Sequence, residues 1–192
     1  MSGTYPSTPI ASLVDITSVQ GNLMSETRSG RRQVRSIGAQ RWAITASYNP
    51  MTRAEFAPVY AFVMAQRGFY ETFTFVPPVV GSTSGTATGS VTTNGSTTIG
   101  ATTVTLAGLT GTLKAGDYIK FASHNKVYML TADRSGAGSV TFEPPLTVTV
   151  STGNAVTYNS VPFTVRLNND IQKYRIGGYE KYTFEVDMVE AL

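Results

Sequence analysis

KYTFEVDMVEAL (Lys181–Leu192) closes the chain. Tyr182, Phe184, Val186 and Met188 alternate there with Lys181, Thr183, Glu185 and Asp187. A strict period of two with one apolar set predicts a strand that buries a single face. The same pattern occurs far upstream in RWAITASYN (Arg41–Asn49), where Trp42, Ile44, Ala46 and Tyr48 alternate with Arg41, Ala43, Thr45 and Ser47. VPFTVRL (Val161–Leu167) is a third aromatic-rich run of this kind. Strands of one character at both ends of a chain predict one sheet assembled from both ends.

Outward from Arg41–Asn49, the period changes. MTRAEFAPVYAFVMAQRG opens with Thr52 and Glu55 at capping-box spacing. Phe56, Val59, Tyr60 and Val63 share a helical face, and Gly68 supplies a stop, so a helix is expected at about 53–66. Pro58 is the misfit: it predicts either an irregular first turn or a start nearer Ala57. FYETFTFV (Phe69–Val76) reads as the next strand, ended by Pro77-Pro78. Upstream, residues 1–9 read as an extended arm, weakly ordered unless a partner holds it. Residues 10–24 read as a strand bulged at Gly21, followed by a polar stretch, SETRSGRRQVRSIGAQ.

After Pro78 the composition shifts to nearly uncharged Gly, Ser and Thr. Taken alone, the first part of this segment could pass for a linker. Asn94-Gly95 between two strand-like runs predicts a hairpin. Further strands are expected at Tyr118–Ala122, Val127–Ala132, Ser139–Phe142 and Ala155–Tyr158. The resulting fold class is mainly β. Residues 1–78 and 160–192 are expected to form one discontinuous β-sheet body carrying the helix, and residues 79–159 an inserted small, OB-like β-barrel. Insertion at exposed turns is tolerated where the flanking ends lie close together.

The composition narrows the chemistry. The 192 residues suffice to bury a core. Charged residues are only 14% of the chain, against roughly 25% in average domains. With no cysteine and one histidine, disulfides, thiolate metal sites and Cys nucleophiles are excluded, as are His-rich metal sites within one chain. No metal site and no cofactor are expected. The net charge of +3 is too weak a bias to argue nucleic-acid binding without a clustered basic face. No apolar run approaches the about 18 residues of a membrane span. The N-terminus lacks the basic flank and apolar core of a signal peptide, which predicts a protein that folds in the cytosol.

No catalytic constellation emerges. There is no phosphate-binding Gly-Lys loop, nucleophile elbow or His-Glu-x-x-His, and the carboxylates are too scattered to nominate a pair. An enzyme is therefore not expected. His124 lies in GTLKAGDYIKFASHNKVYML (Gly111–Leu130) without a companion acid, cysteine or second histidine, and reads as a solvated turn residue. In Lys114-Ala-Gly-Asp117 the glycine allows a tight turn that the Asp can cap. Tyr118, Phe121, Tyr128, Phe142 and Tyr158 read as barrel core, although exposed aromatics there could stack on sugars or bases.

Arg28, Arg31, Arg32, Arg35 and Arg41 form a cluster, and no acid falls between Glu26 and Glu55. It is either a solvated loop or a contact arm for a neighbouring subunit or for nucleic acid. Guanidinium suits interfaces because it forms bidentate, partly desolvated pairs. The chain also ends with Glu180, Glu185, Asp187 and Glu190. A basic segment and an acidic end on one chain could meet head-to-tail in a ring.

Three stretches carry a resemblance. GAQRWAITASYNPMTRAEFAPVYAFVMAQRGFYETFTF reads strand, capped helix, strand. VTLAGLTGTLKAGDYIKFASHNKVYMLTADRSGAGSVTFEPPL reads as a β-insertion, and FTVRLNNDIQKYRIGGYEKYTFEVDMVEAL as the return. Together they resemble tail proteins of tailed bacteriophages, of the distal-tail or tail-tip (baseplate hub) type. The resemblance implies a β-sandwich or tail-tube-like body with one flanking helix, forming a homo-oligomeric ring, expected to be a hexamer, in the virion tail assembled in the host cytoplasm. The ring would join the tail tube protein to baseplate or tail-tip proteins and keep a channel through which DNA passes, with no membrane insertion. The alternative is a carbohydrate- or receptor-binding module acting through the inserted β-segment.

Overall fold

Alternating apolar residues give strands that bury one face. The computed structural model, which describes residues 3–38 and 40–192, is accordingly mainly β with a single helix. The first third runs β1 (Leu13–Val19), β2 (Asn22–Glu26), β3 (Arg32–Ser36), β4 (Arg41–Ser47), α1 (Arg53–Ala65) and β5 (Phe73–Phe75). The middle runs β6 (Thr92–Thr93), β7 (Thr103–Ala107), β8 (Thr112–Leu113) and β9 (Tyr118–Phe121). It continues through β10 (Val127–Leu130), β11 (Arg134–Ser135), β12 (Gly138–Glu143) and β13 (Val156–Thr157). The end supplies β14 (Phe163–Leu167), β15 (Tyr174–Ile176) and β16 (Tyr182–Glu190).

One sheet unites the two ends of the chain in the order β1-β4-β16-β14-β5, with β15 also on β16 and every pairing antiparallel. Ile44 lies opposite Ile16 and Met188, and Ala46 opposite Val14 and Val186, so the alternations of β4 and β16 fall in step on one buried face. The chain leaves this sheet after β5 and returns at β14, which are neighbours (Phe75 opposite Phe163). Val161 N–H donates to the Gly81 carbonyl at 2.7 Å where the two crossings pass.

α1 covers the buried face. Thr52 N–H and hydroxyl both donate to the Glu55 carboxylate at 2.8 Å, and these bonds hold that carboxyl below its ordinary pKa. Phe56, Val59 and Val63 are buried, and Phe56 stacks on Tyr182 at 4.8 Å. The helix starts at Arg53 despite Pro58. A proline at this depth orphans only the Ala54 carbonyl, one bond near the end of the helix. The chain then turns through Arg67 and Gly68, both with positive φ, so β5 is only three residues long rather than the full 69–76 run.

The expected loose N-terminal arm is a correction. Tyr5 is buried, its hydroxyl accepts from the Tyr48 hydroxyl at 3.0 Å, and its ring meets Phe62, Phe73 and Phe75. Tyr5 N–H donates to the Thr74 carbonyl, and Thr74 N–H to that of Gly3, so this segment caps the β5 edge. The expected bulge at Gly21 corresponds to the break between β1 and β2.

The middle of the chain builds a second sheet, β13-β9-β10-β12-β7-β6, nearly closed by a bridge between Thr92 and Ala155. Its interior holds Leu106, Leu113, Ile119, Phe121, Tyr128, Leu130, Phe142 and Leu146, all at most 2% exposed. The Gly-rich stretch is ordered packing rather than a linker. A Cβ on Gly89 would lie 2.5 Å from the Gly108 carbonyl oxygen, and one on Gly108 2.3 Å from that of Ser90. Asn94-Gly95 does not close the expected hairpin. Asn94 N–H still bonds Thr105 of β7, and after Gly95 the chain swings away to pair Thr97 with Val150.

Because Tyr5 fills an aromatic pocket, Tyr5→Ala should cost about 3 kcal/mol, in the range of large-to-small core substitutions. Urea denaturation checks this; a loss under about 0.5 kcal/mol, the scale of ordinary surface changes, would mean that the segment is not held.

Candidate functional site

The arginine cluster is not a loop. β2 and β3 pair from Asn22 opposite Ser36 to Glu26 opposite Arg32, extending the β1–β4 hairpin beyond the sheet. Five residues of strand project about 17 Å. Thr27 N–H donates to the Arg31 carbonyl and Gly30 N–H to that of Thr27, closing the tip. Arg28 and Arg31 sit at the tip, Arg32 and Arg35 on β3, and Arg41 at the start of β4; all five are exposed. Every residue of β2 and β3 is exposed on both faces.

The two faces of this arm differ. One carries Met24 opposite Val34, with the Arg32–Glu26 ion pair (2.8 Å) beyond them toward the tip. The other carries Leu23 opposite Arg35 and Ser25 opposite Gln33. Leu23, Met24 and Val34 are 59%, 64% and 63% exposed. The ion pair is solvated and contributes about 0–1 kcal/mol. Among the described residues β1, at the root of the arm, pairs with β4 alone, which leaves its outer edge open. The polarity of the arm hid it in the sequence. The available signal was Ser29-Gly30 between two short alternating runs.

The acidic end is split by the structure. Glu180, Glu185 and Asp187 are exposed, and Asp187 accepts a bond from the Thr45 hydroxyl at 2.7 Å. Glu190 is a correction: it is 0% exposed and faces inward, unavailable to a neighbour. Its partner is Lys126, which the sequence placed in a turn and the structure buries at 1% exposure.

This pair anchors a polar node between the two sheets. The Lys126 ammonium donates to Glu190 Oε2, to Gln40 Oε1 (2.6 Å) and to the Gln40 carbonyl (3.1 Å), using all three of its donors. Glu190 also accepts from Trp42 N–H (3.2 Å) and Val127 N–H (2.9 Å). The Trp42 indole N–H donates to the Val127 carbonyl at 2.9 Å, and Gln40 Nε2 to the Ser18 hydroxyl at 2.9 Å. Burial pulls the Lys126 ammonium below its ordinary pKa, against the Glu190 carboxylate, which holds it up. Lys120, also lowered by burial, donates to the Pro162 carbonyl and the Thr164 hydroxyl beside it. The alternation of β16 carries Glu190 onto the inward face with Phe184, Val186 and Met188, but no motif marks Lys126 or Gln40 as its partners.

The remaining candidates are structural. His124 is half-buried rather than solvated: Nε2 bonds the Tyr128 hydroxyl at 2.7 Å, Nδ1 bonds the Ser123 hydroxyl at 2.9 Å, and the ring stacks on Phe121. Burial lowers its pKa, with Lys120 adding to the effect. Asp117 accepts from the Thr83 and Ser84 hydroxyls and from Ser84 and Lys114 N–H. Burial raises its pKa, but these four bonds outweigh it and the net shift is downward. Phe121, Tyr128 and Phe142 are core, Tyr118 packs against Trp42 and Phe163, and the Tyr158 hydroxyl donates to the Gly89 carbonyl, so none of these rings forms an open stacking platform.

Among the described residues no group of three or more His, Cys, Asp or Glu side chains could hold a metal ion. No helix there is long and apolar enough to cross a membrane. No protein-family model matches the chain, and no curated protein sequence matches it.

Removing one partner of a buried pair strands the other. Lys126→Met should therefore cost about 3–5 kcal/mol, while Lys126→Met with Glu190→Gln should recover most of that loss. Chemical denaturation of both variants checks this; equal losses would mean that the charges are not coupled.

Proposed function

We propose that the chain is a structural subunit of a tailed-bacteriophage tail, non-enzymatic, that assembles into a ring at the distal end. The ring, hexameric in this reading, joins the tail tube to baseplate or tail-tip proteins and leaves a channel for DNA. The observation that carries the reading is the unpartnered arm together with the open edge of β1. An open strand edge and a ribbon with apolar residues exposed on both faces are liabilities in a monomer and are satisfied by a second copy.

The chemistry of the arm fits such a contact. Met24, Val34 and Leu23 offer apolar area, and Arg28, Arg31 and Arg35 offer guanidinium groups for carboxylates of a neighbour. Exposed acids on the same chain, Glu180, Glu185 and Asp187, supply that complement. A head-to-tail contact between different surfaces of one chain closes into a ring when its rotation permits. The second sheet, seated on the first through the Lys126 node, presents its outer face to baseplate proteins in this reading.

Sedimentation velocity over a concentration series tests it. The wild type should form a discrete closed oligomer. Arg31→Glu with Arg35→Glu should weaken association at least tenfold without a change in melting temperature. Association indifferent to both reversals would count against the arm as the contact.

A further inference from the structure

We propose that the inserted β-segment is an interlock on the arm: the Lys126 turn between β9 and β10 fixes the root of the arm, so that the pose of the arm and the seating of the second sheet are coupled. The geometry is specific. The arm springs from two roots, Ser18 at the end of β1 and Gln40 just before β4. The Gln40 side chain spans both, because its Nε2 donates to the Ser18 hydroxyl while its Oε1 and its backbone carbonyl accept from Lys126. One turn of the inserted segment therefore grips both strands of the arm through one glutamine. Two residues further on, the Trp42 indole N–H is tied to Val127, the first residue of β10.

The grip is positional rather than merely adhesive. An ammonium with all donors used, beside a carboxylate holding two backbone N–H groups, tolerates little displacement before a buried charge loses its partner. The seam around it combines charges and rings with apolar packing, since Val127 and Met129 of the inserted segment join the core of the first sheet. Lys120 and Lys126 flank Glu190, the Lys126 ammonium lies 5.9 Å from the Trp42 ring centroid, and Trp42 meets Tyr118 edge-on at 5.3 Å.

The two crossings into the inserted segment are themselves strained. Val79 and Ser160 both hold positive φ (66° and 51°), a region that a β-branched residue in particular avoids. A partner that shifts the second sheet acts on the arm through Gln40, and a partner that seats on the arm acts back on the second sheet by the same free energy. The proposal rests on the arm being the working surface, but the coupling itself lies within one chain.

Amide hydrogen exchange on the full chain tests it, with wild type and variants compared in the same oligomeric state. The reporter is Ile37 N–H, which bonds the Gly21 carbonyl across the root of the arm. Gln40→Ala removes the side-chain bonds to Ser18 and Lys126, and with them the bridge between the two roots, and leaves the bond from Lys126 to the residue-40 carbonyl and the Lys126–Glu190 pair in place. It should speed exchange at Ile37 at least tenfold while amides of α1 and β12 keep their rates. Lys126→Met with Glu190→Gln, which removes the grip from the other side, should speed Ile37 to a similar degree. Unchanged exchange at Ile37 in Gln40→Ala would overturn the interlock, as would equal acceleration at every site, the signature of global destabilisation. Because the rates are read within single chains, failure of the ring would show in sedimentation and leave this outcome intact.

Discussion

Lys126 and Glu190 take two full charges out of water at the seam between two sheets. Desolvation of that kind is repaid only when geometry and remaining hydrogen bonds are nearly complete. Here they are: every ammonium donor is used, and both carboxylate oxygens are engaged. The pair draws together residues 40, 126 and 190, from the arm root, the middle of the chain and its last strand. Other features of the molecule respect that constraint. Trp42 must present its backbone N–H to Glu190 and its indole to Val127, which fixes the register of β4 against β16 and the seating of the second sheet at once.

Periodic features were legible in the sequence, and nonlocal polar ones were not. The alternations of β4 and β16 place Trp42, Ile44, Phe184, Val186 and Met188 in the core as expected, because a period of two has one physical meaning when half the residues are apolar. Thr52 and Glu55 marked the start of α1, and the strands around Tyr118, Val127 and Val140 fell close to their expected bounds. Asn94-Gly95 misled because tertiary pairing of Asn94 with β7 and of Thr97 with Val150 outweighs a local turn preference. Tyr5 looked like part of a loose arm because nothing local shows that Phe62, Phe73 and Phe75 converge on it.

The candidate surface was half legible. The arginines were visible as a cluster, but their placement on a ribbon was not, since β2 and β3 are exposed on both faces and carry no one-sided apolar stripe. The acidic end looked uniform, yet Glu190 belongs to the interior and Glu185 and Asp187 to the surface. Lys126 looked like a polar turn residue. A buried lysine becomes visible only when its carboxylate, 64 residues away, is folded beside it.

This architecture assigns tasks by exposure. Chemistry-bearing side chains that face inward, His124, Asp117, Lys126 and Glu190, are consumed in holding turns and the seam. What remains outward is an arm, an open edge and scattered charge, which in the proposed reading meet further copies of the chain. Electron microscopy of the purified full chain over a concentration series tests that claim most directly. The account predicts closed rings with a central opening, populated more as concentration rises. Compact single particles at every concentration would contradict it.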